Sequence, residues 1–533
     1  MKRKHVLLTL LLIVVLAVSS IGLVACSPKE KPRDPEVLVV GTTLQVDSLN
    51  RFLTNGGEAG YNYDLIARVV SQIAAVNKVD GNFIGGACDF TVSEDDHTVT
   101  LTLKDGYKWH DGTPVTIDDL KFTFKGFTQG TDYDSVTEEG NTLTYKVNTS
   151  DAFLTKVAGN PLFPKHVFEG KTAETITDAE SVIGAGPFKY VSRDINAGTI
   201  TFEKFADYPQ ANKVQFKKVV FKKYGNQEVL ALALKNGEID IIYNYSALDV
   251  HSVNALSGSN NVKLISKSTK GIDKVMYFNN QKMTDVRVKR AIALSIDYAK
   301  LRETFATAGV APAREGFVAE GIEGYKETPV WQRNLAEAKR LLKEAGYSET
   351  NKFQFDLLVR AGKNDTQYAP LLQTQIEETG LVKVTLVSKG SDWQDYYKDG
   401  NHMASLATIT PKGYDFEAGY ATRYTLAKKT SMFTNPELKD ENPVAHGQML
   451  VEKDGELTEY GKILTDMRDA KTKEEKNIAV GKYQDFIAKN VICVPFFYSG
   501  TTYAVSSKIN GIQFDDINGS ILNVVTFETL KRA

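Results

Sequence analysis

The chain has 533 residues, more than one hydrophobic core usually serves, so two or three domains are expected. With 42% hydrophobic and 24% charged residues it has the make-up of a globular protein, not of a disordered or fibrous one. Its formal net charge of -2 argues against a nucleic-acid partner, which calls for a strongly basic domain or stripe.

The first segment carries Lys2, Arg3 and Lys4, an apolar run from Val6 to Val18, and then Leu23, Val24, Ala25 and Cys26. That order is the order of a secretion signal. An uncleaved anchor competes with it, because Val6 to Ala25 is 20 residues, just long enough to span a bilayer. The stretch ending at Cys26 is similar to the lipobox of bacterial lipoproteins. The resemblance implies that Cys26 is acylated and becomes the first residue. Loss of residues 1–25 removes three positive charges and leaves a formal -5 (-2 minus 3). Ser27 to Pro35 mixes prolines with charges, has no apolar face and reads as a tether. No later apolar run approaches the length of a span, so the body is expected outside the membrane. Cys88 and Cys493 make no disulfide framework and are expected as buried free thiols.

Glu36 to Thr43 reads as a buried strand ending at Gly41, Thr42 and Thr43. Leu49 to Asn82 reads as a helical linker. Thr98 to Leu103 alternates for a half-buried strand, and Asp105-Gly106 and Asp111-Gly112 are turns. Thr116 is placed to cap a helix with Asp118 and Asp119 in its first turn and Ile117, Leu120, Phe124 and Phe127 on one face. Gly184 and Gly186, before Pro187, permit a tight turn. Gly170-Lys171-Thr172 lacks the leading glycine of a phosphate loop.

Gln227 to Asn236 is a helix stopped by Gly237, and Glu238 to Tyr245 a strand. Val275 to Phe278 is a strand, followed by a helix capped by Asp285 with Val288, Ala291, Ile292, Ser295 and Ala299 on one face. Arg287, Lys289, Arg290 and Lys300 then form a solvated basic surface. Asn334 to Tyr347 is a helix, Phe353 to Arg360 a strand, Ala369 to Thr379 a helix closed by Gly380, and Val382 to Val387 a strand. Leu426 to Lys471 is polar and aperiodic. Lys473 to Lys489 is helical, and Val491 to Tyr498 is a buried strand returning to the first half. The alternation is that of an α/β protein.

Leu103, Asp105, Gly106, Trp109, the Asp111–Pro114 turn, Thr116, Asp119 and Leu120 together resemble the signature of the extracytoplasmic solute-binding proteins of peptide and nickel ABC importers, family 5. Pro161, Pro164 and His166, then Gly184 to Phe188, then Leu234 with Gly237 to Asp240, and then Val275 to Leu301 extend the resemblance. It implies a two-lobed periplasmic-binding-protein-like fold (type II, cluster C) with an extra subdomain in the first lobe. On that plan 36–60, 182–270 and 490–533 form lobe I, 61–181 the added subdomain and 271–489 lobe II, after a signal at 1–25 and a tether at 26–35. It further implies an extracytoplasmic, lipid-anchored monomer that captures an oligopeptide and hands it to a permease driven by an ATPase.

A captured peptide needs a carboxylate for its amine, because a desolvated charge requires a partner. The resemblance places Asp415, beside Tyr414, in that role, and Arg360 at the peptide carboxylate, where a planar fork suits the group. Asp415 competes with an ordinary turn aspartate beside Gly413, and Arg360 with a solvated strand end. Trp393 is either a cleft wall or core. Gly41, Thr42 and Thr43 are expected at the cleft or in a plain turn, with Tyr243, Tyr245, Tyr277 and Asn279 near the lobe crossings. The seven histidines are scattered, with no zinc spacing and no nucleophile elbow, so no enzyme, cofactor or metal is expected. A nickel chelate or sugar as cargo, a receptor for a signalling peptide, and a hydrolase whose carboxylate pair has no motif remain as alternatives.

Overall fold

The computed structural model describes residues 33–533 apart from 47, 51–62, 64–65, 68–69, 128–132, 148–149, 245–247, 281, 306–330, 362–364, 391, 394–395, 397–400, 410–451, 454 and 517–519. The signal, Cys26, Tyr245, Tyr414 and Asp415 lie outside the described residues.

Strand β1 (Val37–Thr42) opens the first lobe. The expected linker 49–82 is helical at Tyr63, Ile66, Ala67 and Val70, but its end is the first strand of a hairpin, β2 (Val76–Val79) and β3 (Asn82–Gly85). Its turn is Asp80-Gly81, both at positive φ, the Asp-Gly pair that suits a two-residue hairpin. Strands β4 (Cys88–Val92), β5 (Thr98–Leu103), β6 (Tyr133–Glu139) and β7 (Thr142–Val147) make a separate sheet in the order β4-β5-β7-β6. The chain returns through β8 (Phe188–Asp194), β9 (Thr199–Lys204), β10 (Lys218–Lys223), β11 (Ile241–Ile242) and the long β12 (Val262–Phe278). The second lobe has β13 (Phe353–Arg360), β14 (Val382–Lys389), β15 (Ala404–Ile409) and a small hairpin, β16 (Glu452–Lys453) with β17 (Glu456–Leu457). Strand β18 (Cys493–Ser506) then runs back into the first lobe.

One ten-stranded sheet threads both lobes in the order β14-β13-β15-β12-β18-β11-β1-β10-β9-β8. Strands β12 and β18, paired antiparallel, carry it from one lobe to the other. Their register slips at Ser268/Ile272, Ile272/Lys274 and Lys274/Val275, so the ladder is broken at the crossing. One core gathers Leu38, Trp109, Phe202, Phe221, Val505 and Phe527; another gathers Met276, Phe278, Ile292, Leu357, Leu372 and Phe496. The lobes thus have cores of their own, joined by a bulged two-strand ribbon.

The signature segment proves to be a buried knot. The Trp109 indole N–H donates to Asp119 Oδ2 (3.3 Å), which also accepts from the Thr116 N–H (2.8 Å) and hydroxyl (3.1 Å). Asp119 Oδ1 accepts from the Lys165 N–H at 2.7 Å, tying in the Pro164–His166 turn. Thr116 was expected to accept as a cap; its hydroxyl instead donates to the aspartate of the helix Ile117–Phe127. Gly184 passes so close to Ser71 that an added Cβ would sit 1.9 Å from its carbonyl oxygen. Gly184→Ala is therefore expected to cost about 1–3 kcal/mol by forced displacement. A urea titration with an unchanged midpoint would contradict this.

Two helix readings need correction. The helix capped by Asp285 ends at Ser295, and exposed Ala299 belongs to the next helix, Tyr298–Phe305. Lys289 is not on the solvated face: it is 4% exposed, and its ammonium donates to Asn280 Oδ1 at 2.5 Å.

Candidate functional site between the lobes

In each lobe the parallel strands end on the side of the broken ribbon. In lobe I, β10 and β11 run parallel to β1, with ends at Lys223, Ile242 and Thr42. β11 is antiparallel to β18, as β12 is, so these ends share the direction in which β12 leaves the lobe. In lobe II, β14 and β15 run parallel to β13, with ends at Lys389, Ile409 and Arg360. Ile409 pairs with Ile272, inside the slipped stretch. The carboxyl edges of both lobes therefore look toward the crossing from opposite sides, the edge at which open α/β sheets collect ligands.

The lobe I edge is built on Asn244, just beyond β11. Its Oδ1 accepts from the Thr43 N–H (2.8 Å), the Thr43 hydroxyl (3.2 Å) and the Thr42 hydroxyl (3.4 Å). Its Nδ2, buried with the rest of the side chain, has no hydrogen-bond partner among the described residues. A bare buried donor costs about 1–3 kcal/mol, so it is a group awaiting an acceptor. The sequence reading passed over Asn244 in favour of the flanking tyrosines. Its signal was a lone amide closing an apolar strand. Tyr243 is buried edge-on against Phe221. Gly41 faces the helix Gln227–Lys235, where an added Cβ would lie 2.4 Å from Ile239 Cδ1 and 2.5 Å from Leu230 Cδ1. Its role there is close packing.

The structure brings Arg360 and Trp393 together on the lobe II edge. The guanidinium carbon lies 4.0 Å from the centre of the Trp393 ring, over its face, a cation–π contact. Trp393 is 5% exposed and packs on Leu358, with Val387 and Tyr396 alongside. It underlies Arg360, and no described carboxylate pairs with that guanidinium. A contact through the ring face restrains the guanidinium while consuming none of its N–H donors. The segment holding Tyr414 and Asp415 follows directly from the end of β15.

Tyr277 and Asn279 sit at the other end of lobe II. Tyr277 is buried level with Ser405 and Cys493, at the start of β15. Asn279 holds that start: its N–H donates to the Met403 carbonyl (2.8 Å) and its Nδ2 to the His402 carbonyl (3.0 Å). Burial lowers His402 to about 4, so it is neutral at pH 7. Cys88 and Cys493 are buried thiols outside any disulfide, and burial pushes the Cys88 thiol up to about 12.

Two α/β lobes, joined by two strands and with their parallel-strand ends opposed, define a binding protein of the periplasmic type. The model for bacterial extracellular solute-binding proteins, family 5, matches residues 85–431, and the chain belongs to that family. It is 23% identical over 516 residues to the probable D,D-dipeptide-binding periplasmic protein DdpA of Escherichia coli K12, covering 93% of this chain and 94% of that one. It is 23% identical over 340 residues to the nickel-binding protein NikA of Staphylococcus aureus, covering 61% and 67%. Among solved structures it resembles the dipeptide-binding protein of Pseudoalteromonas sp. SM9913 in complex with Met-Leu (TM-score 0.74, 16% identity, 93% and 100% covered). It also resembles Haemophilus influenzae OppA in complex with a peptide (TM-score 0.74, 17% identity, 94% and 99% covered). The family expectation and the two-lobed α/β fold are thus met, and solute binding is the role that family membership supports.

Proposed function

We propose that this chain is the lipid-anchored, substrate-binding subunit of an ABC importer, and that it captures oligopeptides outside the cell without altering them. Lobe I (36–60, 182–270 and 490–533, with 61–181 as its added subdomain) and lobe II (271–489) close about the ribbon of β12 and β18. Cargo touching both edges favours the closed state through its extra contacts. Cys26 carries the acyl groups, and the closed monomer delivers its cargo to the permease and ATPase.

The observation that carries the reading is the opposition of two incompletely satisfied edges across a bulged ribbon. Asn244 Nδ2, its amide held through Oδ1 by Thr42 and Thr43, offers a donor from one side, next in sequence to Tyr245. Arg360, steadied by Trp393, offers a fork for a carboxylate from the other. Asp415, with Tyr414, supplies the carboxylate for the peptide amine. Gly41 supports the first edge by packing, while Tyr277 and Asn279 brace lobe II.

Mass spectrometry of what co-purifies with the mature protein tests the cargo class. A mixed peptide population is expected, and one defined solute such as a metal chelate overturns the peptide reading. Asp415→Ala is expected to weaken free-amine peptides by about tenfold or more relative to their acetylated forms, the loss of one charge-assisted contact. Equal weakening of both forms removes Asp415 from its role.

A further inference from the structure

Strand β8 contains a bulge that redirects one arginine. Tyr190 pairs with Phe202 and Arg193 with Ile200, and the register slips between Tyr190 and Ser192. Phe202 and Ile200 both belong to the lobe I core, so Tyr190 and Arg193 lie on the same inward row although they are three residues apart. Strict alternation would put position 193 on the outer face. The extra residue instead leaves Val191 outside, 47% exposed, and turns Arg193 in.

The Arg193 side chain is 17% exposed, and its Nη1 is buried without a hydrogen-bond partner among the described residues. Among the described residues its only ion contact is Nη2 to Asp178 at 3.9 Å, the outer limit of such a pair. Arg193 lines a small pocket of about 40 Å³ with Thr42, Asp194, Thr199, Phe221 and Lys223. A single water needs roughly 10–15 Å³, so this space suits a carboxylate-sized group and not a whole cargo molecule. The pocket lies on the carboxyl edge of lobe I. Thr42 ends β1, Lys223 ends β10, and the Lys223 N–H donates to the Gly198 carbonyl at the β8–β9 tip (2.8 Å). Asp194, the one acid in the lining, already accepts from the Ala197 N–H at 2.9 Å within that turn. Two cations, Arg193 and Lys223, against that one carboxylate leave the lining with a net positive charge, and among the described residues Arg193 Nη1 has no hydrogen-bond partner.

We propose that this pocket is an anion-receiving subsite of the lobe I edge, in which Arg193 Nη1, with Lys223 at the rim, takes a carboxylate. The site is separate from Arg360 and rests on the reading of that edge as the cargo cleft. The carboxylate comes either from an acidic side chain of the cargo or from a free organic acid.

Two measurements on the mature protein distinguish these sources. Glutarate at millimolar concentration is expected to raise the melting temperature above that in chloride of equal ionic strength, an effect lost in Arg193→Gln. In calorimetric titration Ala-Glu-Ala is expected to bind about tenfold more tightly than Ala-Gln-Ala, and Arg193→Gln to abolish the difference without weakening Ala-Gln-Ala. A glutarate response lost in the variant, with no peptide bound, keeps the subsite, assigns it to a free acid and sinks the peptide reading. Peptide binding whose Glu/Gln ratio survives Arg193→Gln, or equal weakening of both peptides, overturns the subsite. So does the absence of both a glutarate response and a Glu preference in the unmutated protein. If Arg193→Gln does not fold, Lys223→Gln on the exposed rim takes its place: a reduced glutarate response or Glu/Gln ratio supports the subsite, and unchanged values of both overturn it.

Discussion

Asp240→Ala is expected to cost about 3–5 kcal/mol of stability, the range for removing one partner from a buried ion pair. Asp240 is buried at the start of the β11 segment and receives both ends of the described chain. Arg532 donates to it through both terminal nitrogens, at 2.7 Å to Oδ1 and 2.9 Å to Oδ2, and Arg33 pairs with Oδ1. Oδ2 also accepts from the Val39 N–H at 2.9 Å. Arg532 goes on to the Val37 carbonyl (3.1 Å) and the Pro35 carbonyl (3.2 Å). Without the carboxylate two guanidinium groups face each other, and a β1 amide loses its acceptor. Chemical denaturation should show a lower midpoint with an unchanged slope. A loss below about 1 kcal/mol would place the cluster among exposed pairs of little worth and overturn the assignment.

Lys289→Met is expected to act in the opposite direction. The Lys289 ammonium is buried, with Asn280 as its neutral acceptor, and burial lowers its pKa from 10.5 to about 8 against a weaker opposing pull from Asp285. Asp285 is already held by Arg287, which donates to both of its oxygens (3.0 and 2.7 Å). In the unfolded chain the lysine keeps its ordinary pKa, so above pH 8 the unfolded state binds more protons than the native one. Stability should therefore rise with pH through this window, at up to about 1.4 kcal/mol per unit, or about 2 kcal/mol from pH 8 to 9.5. Below pH 8 both states are charged and the burial penalty is constant. Methionine fills a similar volume without the charge, and the half-buried Asn280 keeps access to water. The variant should be more stable at pH 7 by about 1–4 kcal/mol, the range for replacing buried charge with a packed apolar group. It should also lose the slope between pH 8 and 9.5. A destabilised variant, or an unchanged slope, would show that the ammonium is better compensated than its contacts indicate.

The strands and helices of both lobes were legible wherever a local rule operates. Phe353–Arg360 reads as a strand from its own pattern, and Asn334 and Asp285 cap helices as short polar residues do. The α/β alternation and the signature around Trp109 were enough to name the scaffold, because side-chain periodicity and turn chemistry act over a few neighbouring residues. Other features depend on partners distant in sequence. Lys289 looked solvated because helical periodicity cannot say what covers a face. Asn244 looked unremarkable because its meaning lies in Thr42 and Thr43, some 200 positions earlier. Arg193 reads as an outward residue until the pairing of β8 with β9 exposes the bulge. Composition and pattern determined which elements form and to which family the chain belongs. The packing of remote segments decided which polar groups are left without partners at the lobe edges, because desolvation and unmet hydrogen bonds are properties of an enclosed space and not of a stretch of chain.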